Sequence, residues 1–172
     1  MDIESRLLVG VNVSDAPNDK EQLGPTLAAV SPVIESLEAV LVDSGYYSAG
    51  AVAAVENPNG APAGPMIYAA TGRKSHGRTV QELEQRADPP APCPEASAKA
   101  KMKHRLETKK GRELYALRKQ TIEPIFGIIK ETLGFRRFSL RGLTNVRTER
   151  TLVTLAYNLK RLFHIGSTPL AA

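Results

Sequence analysis

A polar, proline-rich stretch divides this chain into two parts. Residues 72–98 show no sustained apolar periodicity, and Pro89, Pro90, Pro92 and Pro94 fall within six positions. Proline lacks a backbone N–H and fixes φ, so neither a helix interior nor a central strand can cross such a segment. We therefore predict a linker or insertion at 72–98, regular structure at 1–71 and 99–165, and a disordered tail at 166–172.

The part before the linker alternates short apolar runs with turn signals. Three runs have the length and composition of strands. They are 6–13 (RLLVGVNV), 39–42 (AVLV) and 66–70 (MIYAA). Between the first two, the apolar spacing of residues 23–37 predicts helical pieces divided by Pro25 and Pro32. This order of strands and helices is typical of a layered α/β domain.

The first predicted strand begins almost at residue 1. A domain seldom opens in the middle of a sheet, so we expect the fold to be N-terminally truncated, with a preceding strand absent.

The part after the linker is helical in pattern. Residues 99–133 are rich in Lys, Arg, Leu and Glu, with breaks expected near Gly111 and at Pro124. A basic loop at 134–142 (GFRRFSLRG) leads to a last helix at 144–163. Its apolar residues recur at helical spacing, which suits packing on a sheet. They are Leu152, Leu155, Leu159 and Leu162.

The two ends of the chain carry opposite charge. Positions 1–60 contain 2 basic and 9 acidic residues, whereas positions 99–162 contain 17 basic and 5 acidic ones. A basic half of this kind suits a polyanionic partner, because Lys and Arg that meet phosphates release condensed counterions. A solvated helical surface explains the same charge equally well. The absence of Trp argues against a platform that stacks single-stranded bases.

The composition of the chain argues against several other classes of protein. No run approaches eighteen apolar residues, and the N-terminus lacks the pattern of a signal peptide, so we expect an intracellular protein. Cys93 is the single cysteine, so the sequence argues against disulfides and against zinc sites ligated by cysteine.

Asp43 is the first candidate for chemistry. It follows the apolar run 39–42, and open α/β sheets place functional side chains at the carboxyl ends of strands. Asp before Ser-Gly is also a common way to begin and cap a turn, so both roles remain open.

Glu123 is the second candidate. It lies between Ile122 and Pro124 in an apolar sequence, where a carboxylate facing the core would need a compensating cation. A metal ion, Lys119 or Lys130 would serve. Alternatively, Glu123 begins a helix whose first residue is Pro124.

Read together, two segments resemble the end of bacterial insertion-sequence DDE transposases of the IS4-like type. They are LVDSGYYS and YALRKQTIEPIFGIIKETLGFRRFSLRGLTNVRTERTLVTLAYNLKRL. The resemblance implies the C-terminal part of a catalytic domain with an RNase H-like mixed sheet flanked by helices, to which 1–71 and 99–165 would both belong. In that family an Asp, Asp and Glu triad holds two Mg²⁺ or Mn²⁺ ions, which promote strand cleavage and transfer.

The resemblance also implies partners and a location. The partner would be double-stranded DNA, as terminal repeats and as target, and a homodimer is possible. The protein would be cytoplasmic in a bacterium and associated with the nucleoid.

Individual positions follow the family's motifs. Asp43, with Gly45 and Tyr46, matches the context of the second Asp, and Glu123 matches the Glu, so both are the implied catalytic metal ligands. The family's basic position stays open, because Arg118 keeps the distance to Tyr115 whereas Lys119 keeps the distance to Glu123. The residues implied to hold DNA are Tyr115, Arg118, Lys119, Lys130, Arg136, Arg137 and Arg141.

The first Asp of the triad has no good counterpart. Asp2 is the only early candidate, and the alignment places it in a hairpin rather than on the family's first strand. A chain without that carboxylate would bind metal weakly and cut DNA poorly. The sequence therefore predicts either a truncated transposase or a DNA-binding remnant without catalysis.

Overall fold

The computed structural model describes residues 1–72 and 87–167. Most of the regular structure is helical, with one pair of short strands and brief 3-10 and π turns. In chain order the main elements are α1 (Leu23–Ala28), β1 (Ala39–Val42), α2 (Ala49–Glu56), β2 (Met66–Ala69), α3 (Ala98–Glu107), α4 (Lys109–Gly127) and α5 (Leu143–Ser167).

The two strands pair in parallel through a helical crossover. Ala39 lies opposite Met66, and the register continues to Val42 opposite Ala69. Helix α2 joins the strands, as parallel pairing requires. The strands predicted at 39–42 and 66–70 are confirmed, although the second ends one residue earlier than predicted. The predicted mixed α/β class is also confirmed. Within the described residues the sheet is this parallel pair; a mixed RNase H-like sheet remains a prediction.

Residues 6–13 do not form the predicted strand. Gly10 makes an isolated antiparallel bridge to Val30. At Leu8 a side chain takes the place of a neighbouring strand: the backbone N–H donates to Asn158 Oδ1 at 2.9 Å, and Asn158 Nδ2 donates to the Leu8 carbonyl at 2.9 Å. The side-chain amide of Asn158 on α5 therefore satisfies backbone groups of this extended segment. Sequence periodicity cannot predict such a contact.

The helical pieces predicted at 23–37 are confirmed in part. The first is α1, but residues 29–38 contain no second helix. Pro32 opens a turn there instead, consistent with the missing N–H of proline.

The chain folds as two compact units. The first comprises the described residues of Met1–Pro17, Pro25–Glu35 and Lys119–Ala172, and the second comprises those of Asn18–Gly24 and Ser36–Arg118. The linker residues 73–86 and the tail residues 168–172 lie outside the described part of the chain. Residues 87–97 contain neither helix nor strand.

The core of the first unit forms where α4 and its π-helical extension pack on α5. Its buried centre consists of Ile125, Ile129 and Tyr157. Partly buried apolar side chains surround that centre: Met1, Leu8, Leu133, Phe135 and Val153.

An ion pair joins three elements of the second unit. The guanidinium of Arg105, on α3, pairs with the carboxylate of Glu56, at the end of α2, and its Nη1 donates to the carbonyl of Ile67 at 2.6 Å. Glu56 in turn accepts from the N–H of Ile67 at 2.8 Å. The pair therefore links α2, β2 and α3 while satisfying the backbone of a buried strand.

The helical block at 99–133 breaks at Thr108, three residues before Gly111, which confirms the break predicted near that glycine. Gly111 lets α4 lie close to the last turn of α3, because a Cβ at this residue would be 1.9 Å from the carbonyl oxygen of Arg105. Pro124 does not end α4, which continues to Gly127 and then into a π-helix at Ile128–Thr132. Buried Ile125 and Ile129 hold this stretch in the core, which offsets the hydrogen bond that proline cannot donate.

Helix α5 confirms the predicted last helix, but its packing differs from the expectation. Thr154 and Tyr157 are its buried residues, whereas Leu152, Leu155, Leu159 and Leu162 are all at least half exposed. The prediction that these leucines pack on a sheet is therefore wrong. The part of the chain that the structure describes contains no helix both long and apolar enough to cross a membrane.

Candidate functional site

Asp43 lies directly after β1, and its two carboxylate oxygens have different neighbours. Oδ1 accepts from the N–H of Ser44 at 2.7 Å and so caps the short 3-10 helix Ser44–Tyr46. Oδ2 lies 3.6 Å from Nη1 of Arg118. The capping role considered from sequence is therefore real. Because the side chain is 61% exposed, the carboxylate also remains accessible to solvent.

Helix α4 brings two of the candidate residues to Asp43. Tyr115 donates its hydroxyl to the carbonyl of Val42 at 3.1 Å. Arg118, one turn later, has its guanidinium carbon 5.4 Å from the centre of the Tyr115 ring. We call Asp43, Tyr115 and Arg118 the Asp43 cluster. It fixes the carboxyl end of β1 to α4 through one neutral hydrogen bond and one ion pair.

Tyr46 adds to the electrostatics around this cluster. Burial raises the pKa of its hydroxyl, and the nearby charges of Asp19 and Asp43 raise it further. Burial also raises the pKa of Tyr115, although the positive charge of Arg118 opposes that effect. Both phenols therefore stay protonated at neutral pH and act as neutral hydrogen-bonding groups.

Glu123 is exposed on α4 and belongs to the first unit. It stands two residues from Thr121 and Ile125, which are buried, so it projects from the opposite side of the helix. The alternative that Glu123 begins a helix at Pro124 is wrong, since α4 begins at Lys109. Its carboxylate is accessible and needs no buried cation to compensate it.

The remaining basic candidates lie near the end of this helical block and in the loop that follows. Lys130, Arg136, Arg137 and Arg141 are exposed, and Arg136 pairs with Glu131 at 2.5 Å. The side chain of Lys119 lies outside the described part of the chain. Three arginines on one exposed loop can reach phosphates without burying charge.

Glu149 orders this basic loop, a role that the sequence reasoning missed. Its carboxylate accepts from the backbone N–H groups of Ser139, at 2.9 and 3.0 Å, and of Leu140, at 3.0 Å. The bonds from Leu140 and Ser139 hold the pKa of Glu149 below its ordinary value. The available signal was a lone acidic residue among arginines, which was too weak to assign a partner.

Asp2 closes a turn at the start of the first unit. Its Oδ2 accepts from the N–H of Ser5 at 2.7 Å and from the Ser5 hydroxyl at 2.5 Å. These hydrogen bonds, the side-chain one foremost, lower the pKa of Asp2. The carboxylate is therefore already engaged in local structure, as a turn position predicts.

One comparison with known proteins bears on this geometry. Residues 90–163 match the family model of the transposase DDE domain. The match supports a DDE transposase, and it spans α3, α4, the basic loop and most of α5. No curated protein and no solved structure matches the chain.

The matched range divides the candidate residues. Glu123 and every residue implied to hold DNA lie inside it, whereas Asp43 and Asp2 lie before it. The family match therefore agrees with the resemblance seen in the sequence, and it does so without using the segment around Asp43.

A two-metal centre of the kind implied by the resemblance needs several acidic side chains close together. Among residues 1–72 and 87–167, no three or more His, Cys, Asp or Glu side chains are grouped so that they could hold a metal ion. The oxygens of Asp43 face Ser44 and Arg118 rather than further carboxylates. The described residues therefore do not by themselves fit the two-metal centre of the family.

Proposed function

We propose that the protein is a DDE transposase with an RNase H-like catalytic domain, which cleaves and joins double-stranded DNA at the ends of an insertion sequence. The observation that carries this proposal is the transposase DDE domain match over residues 90–163. The exposed arginines of the basic loop support it, because phosphate contacts supply most of the affinity of proteins for DNA. This function also accounts for the basic half of the chain, and a bacterial cytoplasm is where its substrate would lie.

In this proposal Asp43 and Glu123 act as the acidic residues of catalysis. Both carboxylates are exposed, so divalent cations and DNA can reach them. The cations would be Mg²⁺ or Mn²⁺, which supply charge stabilisation for displacement at phosphorus.

The same contact bears on the family's basic position. The guanidinium of Arg118 lies beside both Asp43 and Tyr115, so it sits where a basic residue could serve the acidic site. This supports Arg118 rather than Lys119 in that role. Tyr115 would then donate to a phosphate only after giving up its hydrogen bond to the carbonyl of Val42.

The test is a cleavage assay with conservative variants. Supercoiled plasmid carrying the DNA that flanks this gene is incubated with protein and Mn²⁺, and nicked, linear and joined products are resolved on a gel. Asp43→Asn and Glu123→Gln should each abolish the products by removing a negative charge at nearly constant shape. Asp15→Asn and Glu113→Gln change exposed carboxylates of the same types and should leave the products unchanged.

A second function is favoured by the hydrogen bond and ion pair that already occupy Asp43. Under this alternative the protein binds DNA without cutting it, and Asp43 is only structural. DNA binding that survives Asp43→Asn, with no metal-dependent product from the wild-type protein, would establish it. Binding that is insensitive to salt would exclude both functions, because neither would then rest on phosphate contacts.

A further inference from the structure

The basic loop at 134–142 carries exposed apolar side chains among its arginines. Phe138 is 43% exposed and Leu140 is 49% exposed. Arg137 and Arg141 stand next to them in the sequence, one on each side, and both are exposed. Neither arginine makes an ion pair with a residue that the structure describes. The loop therefore offers apolar groups and available positive charges within five consecutive positions.

The position of Phe138 is fixed by contacts from two directions. The carboxylate of Glu149, on α5, accepts from the backbone N–H groups of Ser139 and Leu140 at distances of 2.9 to 3.0 Å. The ring of Phe135 packs against the ring of Phe138 edge to face, with the ring centres 5.3 Å apart. A helix thus holds the backbone that follows Phe138, and an aromatic contact orients its ring. The side chain is preorganised although it is only partly buried.

Contact with phosphates alone does not explain this ordering. Arginine side chains are long, so they reach phosphates even from a loop without fixed structure. Insertion of an apolar side chain between bases benefits from a fixed loop, because unstacking costs free energy and the cost of ordering the loop would add to it. An ordered loop that combines an exposed phenylalanine with cations therefore suits a polyanion with an apolar interior, which is duplex DNA.

We propose that Phe138, assisted by Leu140, is a wedge that enters a step between two base pairs of bound DNA and unstacks them. Arg137 and Arg141 hold phosphates beside that step. This role rests on the proposed function, because it concerns the same DNA surface, and it goes further by assigning the distortion of the duplex to one side chain. The loop lies within the matched range of the transposase DDE domain, residues 90–163.

The acidic groups beside the loop do not oppose an approaching phosphate. Glu149 is bound by two backbone N–H groups, and Glu131 is paired with Arg136 at 2.5 Å. An anionic membrane also combines phosphates with an apolar interior. However, the two apolar side chains of the loop offer much less apolar area than the amphipathic helices that lie in membranes. The chemistry of the loop therefore favours DNA.

The wedge is tested by the preference of the protein for DNA that is already partly unstacked. Duplexes of the DNA that flanks this gene carry one mismatched pair at successive positions, and the fully paired duplex is the reference. A mismatch lowers the cost of unstacking, so the wild-type protein should bind one of the mismatched duplexes roughly tenfold more tightly. Fluorescence anisotropy measures the affinities. The fluorescence of 2-aminopurine beside that mismatch should rise on binding.

Substitutions at position 138 separate a wedge from a structural role. Phe138→Ala should abolish the preference for the mismatch, whereas Phe138→Leu should keep most of it, because leucine also wedges between bases. Both variants should keep the circular dichroism of the wild type and its slope of log affinity against log salt, since the phosphate contacts remain. Loss of loop structure would instead lower that slope. Phe163→Ala is the matched control, because Phe163 is 74% exposed near the end of α5, and it should keep the preference.

Several results would overturn the wedge. Equal binding of all the duplexes by the wild-type protein would do so and leave the proposed function standing, as would a preference that survives Phe138→Ala combined with Leu140→Ala. Loss of the preference in Phe163→Ala would also contradict a specific role for Phe138. Absence of salt-dependent DNA binding would overturn the wedge and the proposed function together. Binding to phosphatidylserine vesicles that Phe138→Ala abolishes, without any mismatch preference, would assign the loop to a membrane surface.

Discussion

The carboxylate of Asp43 and the guanidinium of Arg118 lie 3.6 Å apart, joining the end of a strand to the middle of a helix. The pair is partly open to water, so its contribution to folding is small, about 0–1 kcal/mol. Asn at position 43 can still accept the hydrogen bond from Ser44. We therefore expect Asp43→Asn to lower the free energy of unfolding by less than about 1 kcal/mol, measured by urea denaturation. A loss of more than about 3 kcal/mol would show that Asp43 is primarily structural.

The pair of Arg105 and Glu56 behaves differently because both side chains are largely shielded from water, at 28% and 20% exposure. Arg105→Leu leaves a carboxylate and a backbone carbonyl without their partner. We expect a loss of about 2–4 kcal/mol in the free energy of unfolding. Arg136→Gln removes an exposed ion pair and serves as the control, with an expected change below about 1 kcal/mol. Equal effects in urea denaturation would contradict this ranking.

Two glycines on α4 should respond in opposite ways to alanine. At Gly111 a Cβ would meet the Arg105 carbonyl at 1.9 Å, whereas at Gly127 it meets nothing within 4 Å. We expect Gly111→Ala to destabilise the fold by about 2–3 kcal/mol through backbone displacement. Gly127→Ala should stabilise it by about 0.5–1 kcal/mol, because alanine loses less conformational freedom in a helix. Thermal unfolding midpoints that move in the same direction would refute this prediction.

The basic loop should loosen in acid. The bonds from Leu140 and Ser139 lower the pKa of Glu149, so the ordering they provide is present above the ordinary carboxyl pKa. It is lost as pH falls through the lowered value. We expect the amide resonances of Ser139 and Leu140 to titrate with a midpoint below 4.5, the ordinary value for Glu149. In Glu149→Gln the same resonances should not titrate, and a retained titration would assign the effect to another group.

The arginines of the basic loop should set the salt dependence of DNA binding. If Arg136, Arg137 and Arg141 each meet a phosphate, replacing all three with Gln should reduce the slope of log affinity against log salt by roughly 3. Fluorescence anisotropy with duplex DNA across a salt series measures this slope. Lys20→Gln removes an exposed cation from the acidic part of the chain and should leave the slope unchanged. An unchanged slope in the triple variant would place the DNA surface elsewhere.

Local signals predicted much of the regular structure. The apolar runs at 39–42 and 66–70 became strands, and the helical periodicity after residue 98 became α3, α4 and α5. In each case the determining information lies within a few consecutive residues. The position of Asp43 at a strand end followed from the same kind of signal.

The features that the sequence did not predict depend on residues that lie far apart along the chain. Residues 6–13 look like a strand, but Asn158, 150 positions away, satisfies Leu8 instead of a neighbouring strand. The helical spacing of Leu152, Leu155, Leu159 and Leu162 indicated packing on a sheet, but all four side chains are at least half exposed. The pairing of Asp43 with Arg118 likewise depends on how α4 meets β1, which no local pattern encodes.

The attachment of residues 5–8 to α5 has a consequence for synthesis on the ribosome. Arg161 donates to the Ser5 carbonyl at 2.9 Å, Tyr157 donates to the Arg6 carbonyl at 3.1 Å, and Asn158 brackets Leu8. These partners are translated about 150 positions later, which takes on the order of ten seconds or more at bacterial elongation rates. During that interval the early segment must wait without its final contacts, exposed to chaperones and proteases.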